Sequence, residues 1–262
     1  MDAAAITIAV LLVLLMLIIV ITHWGLLGDG SPKEGVPYID IRASLKTFDV
    51  VAFRGKGPIS SLIKQAEGLF RIGGHTDEYT HVGLIIRGGD LPIRSPLRDP
   101  ERVYIFESTL GGWLGDQVQS VDGAAYAGAQ LRDLDTVVAM YDRRRGNSLD
   151  WLSLHDYYRP NTIESVVAHI LSRHGRSRVG AFGRGLHRLP AVCGPTALHA
   201  RPFLYQSCAE LVANVMKDIG VLPPTVEPAR TAPADWSQKG GRLGMLYRPA
   251  LRFRATRFTG CT

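Results

Sequence analysis

Cysteine is scarce in this chain of 262 residues, which holds three: Cys193, Cys208 and Cys261. They are too few and too unevenly placed for a disulfide scaffold. An odd number fits free thiols in a reducing compartment. No Cys-x-x-Cys or His-x-x-x-His pair is present, so no structural zinc is expected. Internal repeats are absent. No nucleic-acid-binding motif accompanies the basic charge, so nucleic acid is not an expected partner.

Charge is missing altogether from residues 3 to 22, an unbroken apolar run. As a helix, twenty such residues span about 30 Å, the thickness of a bilayer's hydrocarbon core. Trp24 follows at an interfacial position. A cleaved signal peptide fits less well: only Asp2 precedes the run, the run is longer than a typical signal core, and no Ala-x-Ala site follows. The pattern predicts a single-pass membrane anchor over residues 1–24 and a linker over 25–46. Lys33, Arg42 and Lys46 lie after the span and no basic residue precedes it, which leans toward a cytoplasmic-facing domain.

The net charge is +6. Residues 239 to 262 carry Lys239, Arg242, Arg248, Arg252, Arg254 and Arg257 and no acid, and Arg143 to Arg145 form a second cluster. Two readings stand: solvated surface with a basic tail over 239–262, or contact with anionic membrane lipid.

The remaining length suits one domain with a substantial core. Strands are expected at Asp49–Arg54, Thr80–Arg87 and Arg102–Glu107, with further strands at Gln117–Val121 and Asp135–Tyr141. Helices are expected over Pro58–Phe70, Asn161–His174 and from Cys208 to about Gly220. Pro233–Trp236 suits a turn of helix, and Leu251–Phe258 an edge strand. Residues 175–202 are rich in Gly, Arg, Pro and His and form an insertion. The expected fold is α+β, an antiparallel sheet packed against helices, over residues 47–238.

The chemistry points to three residues. In Tyr205-Gln-Ser-Cys208-Ala-Glu-Leu-Val212 a thiol sits just ahead of an apolar helical pattern. Helix-start N–H groups and the helix dipole favour an anion there, and the thiolate is the nucleophile. An inert core thiol is the ordinary alternative. Such a nucleophile needs a base. Among eight histidines, His81 opens a strand, a rigid mount facing a sheet edge. Glu107 ends the next strand, and pairing of the two would set its carboxylate beside the imidazole. The alternative is an ordinary histidine and a solvated strand terminus.

Asp49-Val-Val-Ala-Phe-Arg-Gly, a following helix, Tyr79-Thr-His81-Val-Gly-Leu-Ile, Val103-Tyr-Ile-Phe-Glu107 and Ser207-Cys208-Ala-Glu-Leu-Val together resemble the circularly permuted branch of the papain-like NlpC superfamily. That branch includes YiiX-like bacterial proteins, poxviral relatives and lecithin:retinol acyltransferases. The resemblance covers roughly residues 47 to 236. It implies a permuted papain-like fold with Cys208 as nucleophile, His81 as base, Glu107 as third member and no cofactor. Tyr205 matches an aromatic near such sites and is a candidate substrate contact. The implied activity is a membrane-anchored cysteine hydrolase or acyltransferase acting on a lipid-like or acylated amide or ester. A peptidase or amidase of the same fold, and a non-catalytic membrane or virion scaffold, are the alternatives.

Overall fold

A computed structural model describes residues 35–55, 79–109, 121, 128–143, 147–174, 207–237, 241 and 243–255. Within them, short runs rich in β-branched and aromatic residues pair into one seven-stranded sheet. Its strands are β1 (Val36–Pro37), β2 (Val50–Arg54), β3 (His81–Arg87), β4 (Val103–Thr109), β5 (Gly128–Asp133), β6 (Ser148–Leu152) and β7 (Leu251–Arg254). The spatial order is β1-β7-β6-β2-β3-β4-β5.

All neighbours are antiparallel except β1 and β7, which run parallel. The expected antiparallel sheet is therefore corrected to a mixed one. The physical reason is connectivity: β1 and β7 come from opposite ends of the chain, so no hairpin dictates their relative direction.

Both faces of the sheet centre are covered. On one face Val50, Leu84, Ile86 and Phe106 pack with helices α3 (Ile163–His174) and α4 (Cys208–Asp218) and with Trp236. On the other, Val51, Phe53, Ile85 and Ile105 pack with α1 (Tyr38–Arg42) and α2 (Leu134–Arg143). Strands buried on both sides read as continuous apolar runs, which explains Val82 to Ile86.

Three expectations change. Asp135–Tyr141 belongs to α2 and is not a strand. Leu134, Val137, Val138 and Tyr141 recur at helical spacing, and the first three are buried. The segment Leu251–Phe258 supplies β7, which lies between β1 and β6 and so is not an edge. Arg248 and Arg252 within the basic segment hold Asp156 at 2.5 Å and Asp150 at 3.2 Å.

The third change concerns the membrane. No helix among the described residues is long and apolar enough to cross one. The longest, α3, has 12 residues and rises about 18 Å, well short of a bilayer core. The N-terminal transmembrane helix and the membrane localisation are accordingly removed from the description of this fold. Residues 1–24, from which they were read, lie outside the described residues, as do the expected helix Pro58–Phe70, nearly all of Gln117–Val121 and the 175–202 insertion.

One buried carboxylate ties the sheet to its surrounding loops. Asp49, fully buried, accepts hydrogen bonds from the Arg159 guanidinium at 2.5 Å, Trp151 Nε1 at 2.9 Å, and the backbone N–H groups of Lys46 and Leu154, each at 2.9 Å. Phe48 beside it is fully buried and holds a φ of 74°, a left-handed conformation that costs a bulky side chain on the order of 1–3 kcal/mol. Asp49→Ala removes the buried acceptor of the Arg159 guanidinium, of Trp151 and of two backbone N–H groups, leaving Arg159 with Asp156 at 3.4 Å. The expected loss of unfolding free energy is about 3–5 kcal/mol, read as a lower urea midpoint with an unchanged slope.

Candidate active site

The site begins with the start of α4. Ser207 is the cap: its Oγ accepts from the Glu210 N–H, and the Glu210 carboxylate accepts from the Ser207 N–H, each at 3.3 Å. This reciprocal cap fixes the first helical residue as Cys208. The N–H of Leu211 makes the first helical bond, to the Ser207 carbonyl at 2.9 Å. The cap and that bond engage Glu210 and Leu211, so the first-turn N–H groups of Cys208 and Ala209 stand outside them. Leu211, Val212, Val215 and Met216 are fully buried and hold the helix against the sheet. Gly220, with a φ of +78°, follows its end as a left-handed stop.

The base and its partner come from the sheet. His81 is the first residue of β3 and Glu107 lies in β4. Leu84 pairs with Phe106, so continuing the ladder sets Gly83 opposite Glu107, with His81 on the same face two residues away. A Cβ on Gly83 would lie 2.5 Å from Ile105 Cδ1 and 3.2 Å from Glu107 Cβ. Glycine there leaves no side chain between the imidazole and the carboxylate. His81 Nε2 and Glu107 Oε2 are 2.6 Å apart. The imidazole is 24% exposed and Glu107 is 2% exposed.

Cys208 completes the group. It lies near enough to His81 to act on the ring, as the largest of the influences that raise its pKa. Nε2 serves Glu107, so Nδ1 is the ring nitrogen left for the sulfur. The helix α4 packs on the opposite face of the sheet from Glu107; the two meet because His81 stands where β3 begins. The Phe53 ring, 5.0 Å from the imidazole, packs beside it, and Tyr141 meets Phe53 edge-on at 4.9 Å.

Burial acts to lower the His81 pKa, but Cys208 and then Glu107 outweigh it, and the ring is pushed from 6.5 up to about 10. Burial acts to raise Glu107, but the hydrogen bond and charge of His81, followed by the charge of Arg132, hold it below the usual carboxylate range. Arg132 Nη1 donates to Glu107 Oε1 at 2.7 Å. The arrangement can hold a protonated imidazole, oriented by the carboxylate, next to the thiol.

Sequence reasoning named Cys208, His81 and Glu107, and these three residues are brought together. Tyr205, Cys193 and Cys261 lie outside the described residues. Arg132 and Gly83 were missed as site residues. Both sit on the face of Glu107, and strand parity would have found them once β5 was recognised. Another missed pair is His174, fully buried, with Nε2 2.9 Å from Asp218 Oδ2. Asp218 ends α4, ten residues and so about 15 Å from Cys208, and burial lowers the His174 pKa. Among the described residues no group of three or more His, Cys, Asp or Glu could hold a metal ion.

Fold and site together define an α+β protein in which a carboxylate contacts an imidazole at one end of a sheet and a thiol at a helix start acts on the same ring. No protein-family model matches the chain, and no curated protein matches it.

The His81 titration midpoint, followed by NMR of its ring, is expected near 10. Cys208→Ala removes the larger raising influence and lowers the midpoint most; Glu107→Gln lowers it less. The folded pKa is raised, so the stability His81 contributes is fully present below about 6.5 and is lost as pH rises through about 10. Urea unfolding across that window checks the sign.

Proposed function

We propose that this protein is a thiol hydrolase or acyltransferase acting on an amide or ester carbonyl. The observation that carries the reading is His81 Nε2 at 2.6 Å from the Glu107 carboxylate, with Cys208 at the start of α4 acting on the same ring. The order His81, Glu107, Cys208 along the chain, with the cysteine at a helix start, supports the resemblance to the permuted NlpC branch.

In this mechanism His81 holds the proton of Cys208, and the thiolate attacks the carbonyl carbon. A sulfur–carbon bond forms and the carbonyl electrons move to oxygen. The N–H groups of Cys208 and Ala209 face the developing oxyanion. The imidazolium gives its proton to the departing amine or alcohol as the carbon–heteroatom bond breaks, leaving a thioester on Cys208. Water, or an acceptor nucleophile, then releases the acyl group with His81 as base. Glu107 keeps the ring oriented and stabilises its charged form.

The substrate is a lipid-like or acylated molecule in this proposal, with a peptide amide as the competing acyl donor. Parallel assays on lipid esters and peptide amides separate the two.

A thiol-reactive probe at or below neutral pH is expected to label Cys208 strongly in the wild type and in Cys193→Ser. That labelling is lost in His81→Ala, whose turnover falls about 10²–10⁴-fold. Equal, slow labelling of all three cysteines would sink the reading and leave a non-catalytic scaffold.

A further inference from the structure

Arg132 supplies a guanidinium to the site's carboxylate. It reaches Glu107 from β5, where it pairs in register with Ile105 of β4, while Glu107 itself pairs with Gln130. Parity therefore places Arg132, Glu107 and His81 on one face. Arg132 Nη1 lies 2.7 Å from Glu107 Oε1, and the two side chains are 3% and 2% exposed. The carboxylate is shared: Oε1 to the guanidinium, Oε2 to the imidazole.

A buried carboxylate and a partly exposed imidazolium at hydrogen-bonding distance have an alternative to being charged. The proton can pass to the carboxylate, leaving a neutral acid beside a neutral ring, and low dielectric favours that exchange. A guanidinium cannot be deprotonated in a protein. Its fixed charge beside Oε1 disfavours protonation of Glu107 and keeps the proton on the ring. Among the described residues, the titratable and charged groups facing Glu107 are His81 from β3, Arg132 from β5 and, across the ring, Cys208 from α4. The charges alternate from the ring outward: imidazole positive, carboxylate negative, guanidinium positive.

We infer that Arg132 is a positioning residue of the site: acting through Glu107, it fixes that carboxylate as an ionised acceptor and thereby holds the His81 imidazolium and the Cys208 thiolate as a pair. This rests on the thiol-site reading above and extends it by one residue. Its effect reaches the imidazole through two hydrogen bonds, and the sulfur by way of that ring.

The test is the pH profile of Cys208 alkylation by a small neutral haloacetamide, measured on the full chain, with folding followed by circular dichroism. Wild type is expected to alkylate rapidly down to about pH 6. Arg132→Gln is expected to slow alkylation there by about ten-fold or more, one pKa unit being a factor of ten. Arg132→Lys, which keeps the charge, is expected to restore most of the rate. Glu107→Gln/Arg132→Gln is expected to match Glu107→Gln alone, since in this inference Arg132 acts through the carboxylate. A folded Arg132→Gln with the wild-type profile overturns the role of Arg132 and leaves the thiol site standing. Should Arg132→Gln fail to fold, the double variant decides: alkylation about ten-fold slower than in Glu107→Gln means that Arg132 acts by another route, and the inference falls. Wild-type Cys208 that reacts no faster than an ordinary thiol overturns both readings together.

Discussion

The register between β3 and β4 is the constraint on which the site depends. Leu84 faces Phe106, and with that pairing Glu107 falls on the same side as His81. Side chains alternate with a period of two, so a slip of one residue would turn Glu107 to the face covered by α3 and α4. Register here is enforced by burial rather than by a hairpin turn. Leu84, Ile85, Ile86, Tyr104, Ile105 and Phe106 are all essentially fully buried, and a slip would exchange the two cores. Gly83 adds a local condition, because the space a side chain would need there is already filled by Ile105.

The thiol is placed by a separate set of forces. A reciprocal cap of neutral and charged hydrogen bonds decides where α4 begins, and a buried apolar stripe decides how it lies on the sheet. These features belong to the face opposite Glu107. The site is the junction of two layers at the beginning of a strand. Buried ion pairs hold the surrounding framework. Asp49 joins β2 to Arg159 and Trp151, while Asp150 of β6 gathers Arg54 at 2.6 Å, the Tyr79 hydroxyl at 2.9 Å and Arg252 at 3.2 Å. Both carboxylates fasten segments about a hundred residues apart. Unlike hydrophobic contacts, they tolerate one geometry, since an unsatisfied partner would remain as a buried charge.

Much of the sheet was legible in the chain. Val50–Arg54, His81–Arg87 and Val103–Thr109 announce themselves by β-branched and aromatic composition, and Ile163–His174 and Cys208–Asp218 by helical spacing and caps. Gly128–Asp133 was invisible, because Gly-Ala-Gln-Leu-Arg-Asp carries one large apolar residue and two polar ones that are buried by partners distant in sequence. Its neighbour Leu134–Arg143 was read with the wrong period: Val137 and Val138 suit either element, and only the recurrence at Leu134 and Tyr141 separates helix from strand. The loss of β5 from the reading also removed Arg132 from view. The N-terminal apolar run met a different limit, since composition describes a segment and not its place in a fold.

Local sequence determined the identities and mounts of the reacting groups. A capped helix start carries the cysteine, a strand's first residue carries the histidine, and the next strand carries the glutamate, each set by short-range propensity and hydrogen bonding. Tertiary structure alone decided that they meet. Strand order, register and the layer on which α4 packs are long-range choices, fixed by which apolar faces and buried charges satisfy one another, and no window of neighbouring residues contains them. The same is true of Arg132, whose charge gains meaning only from the carboxylate that the adjoining strand brings to it.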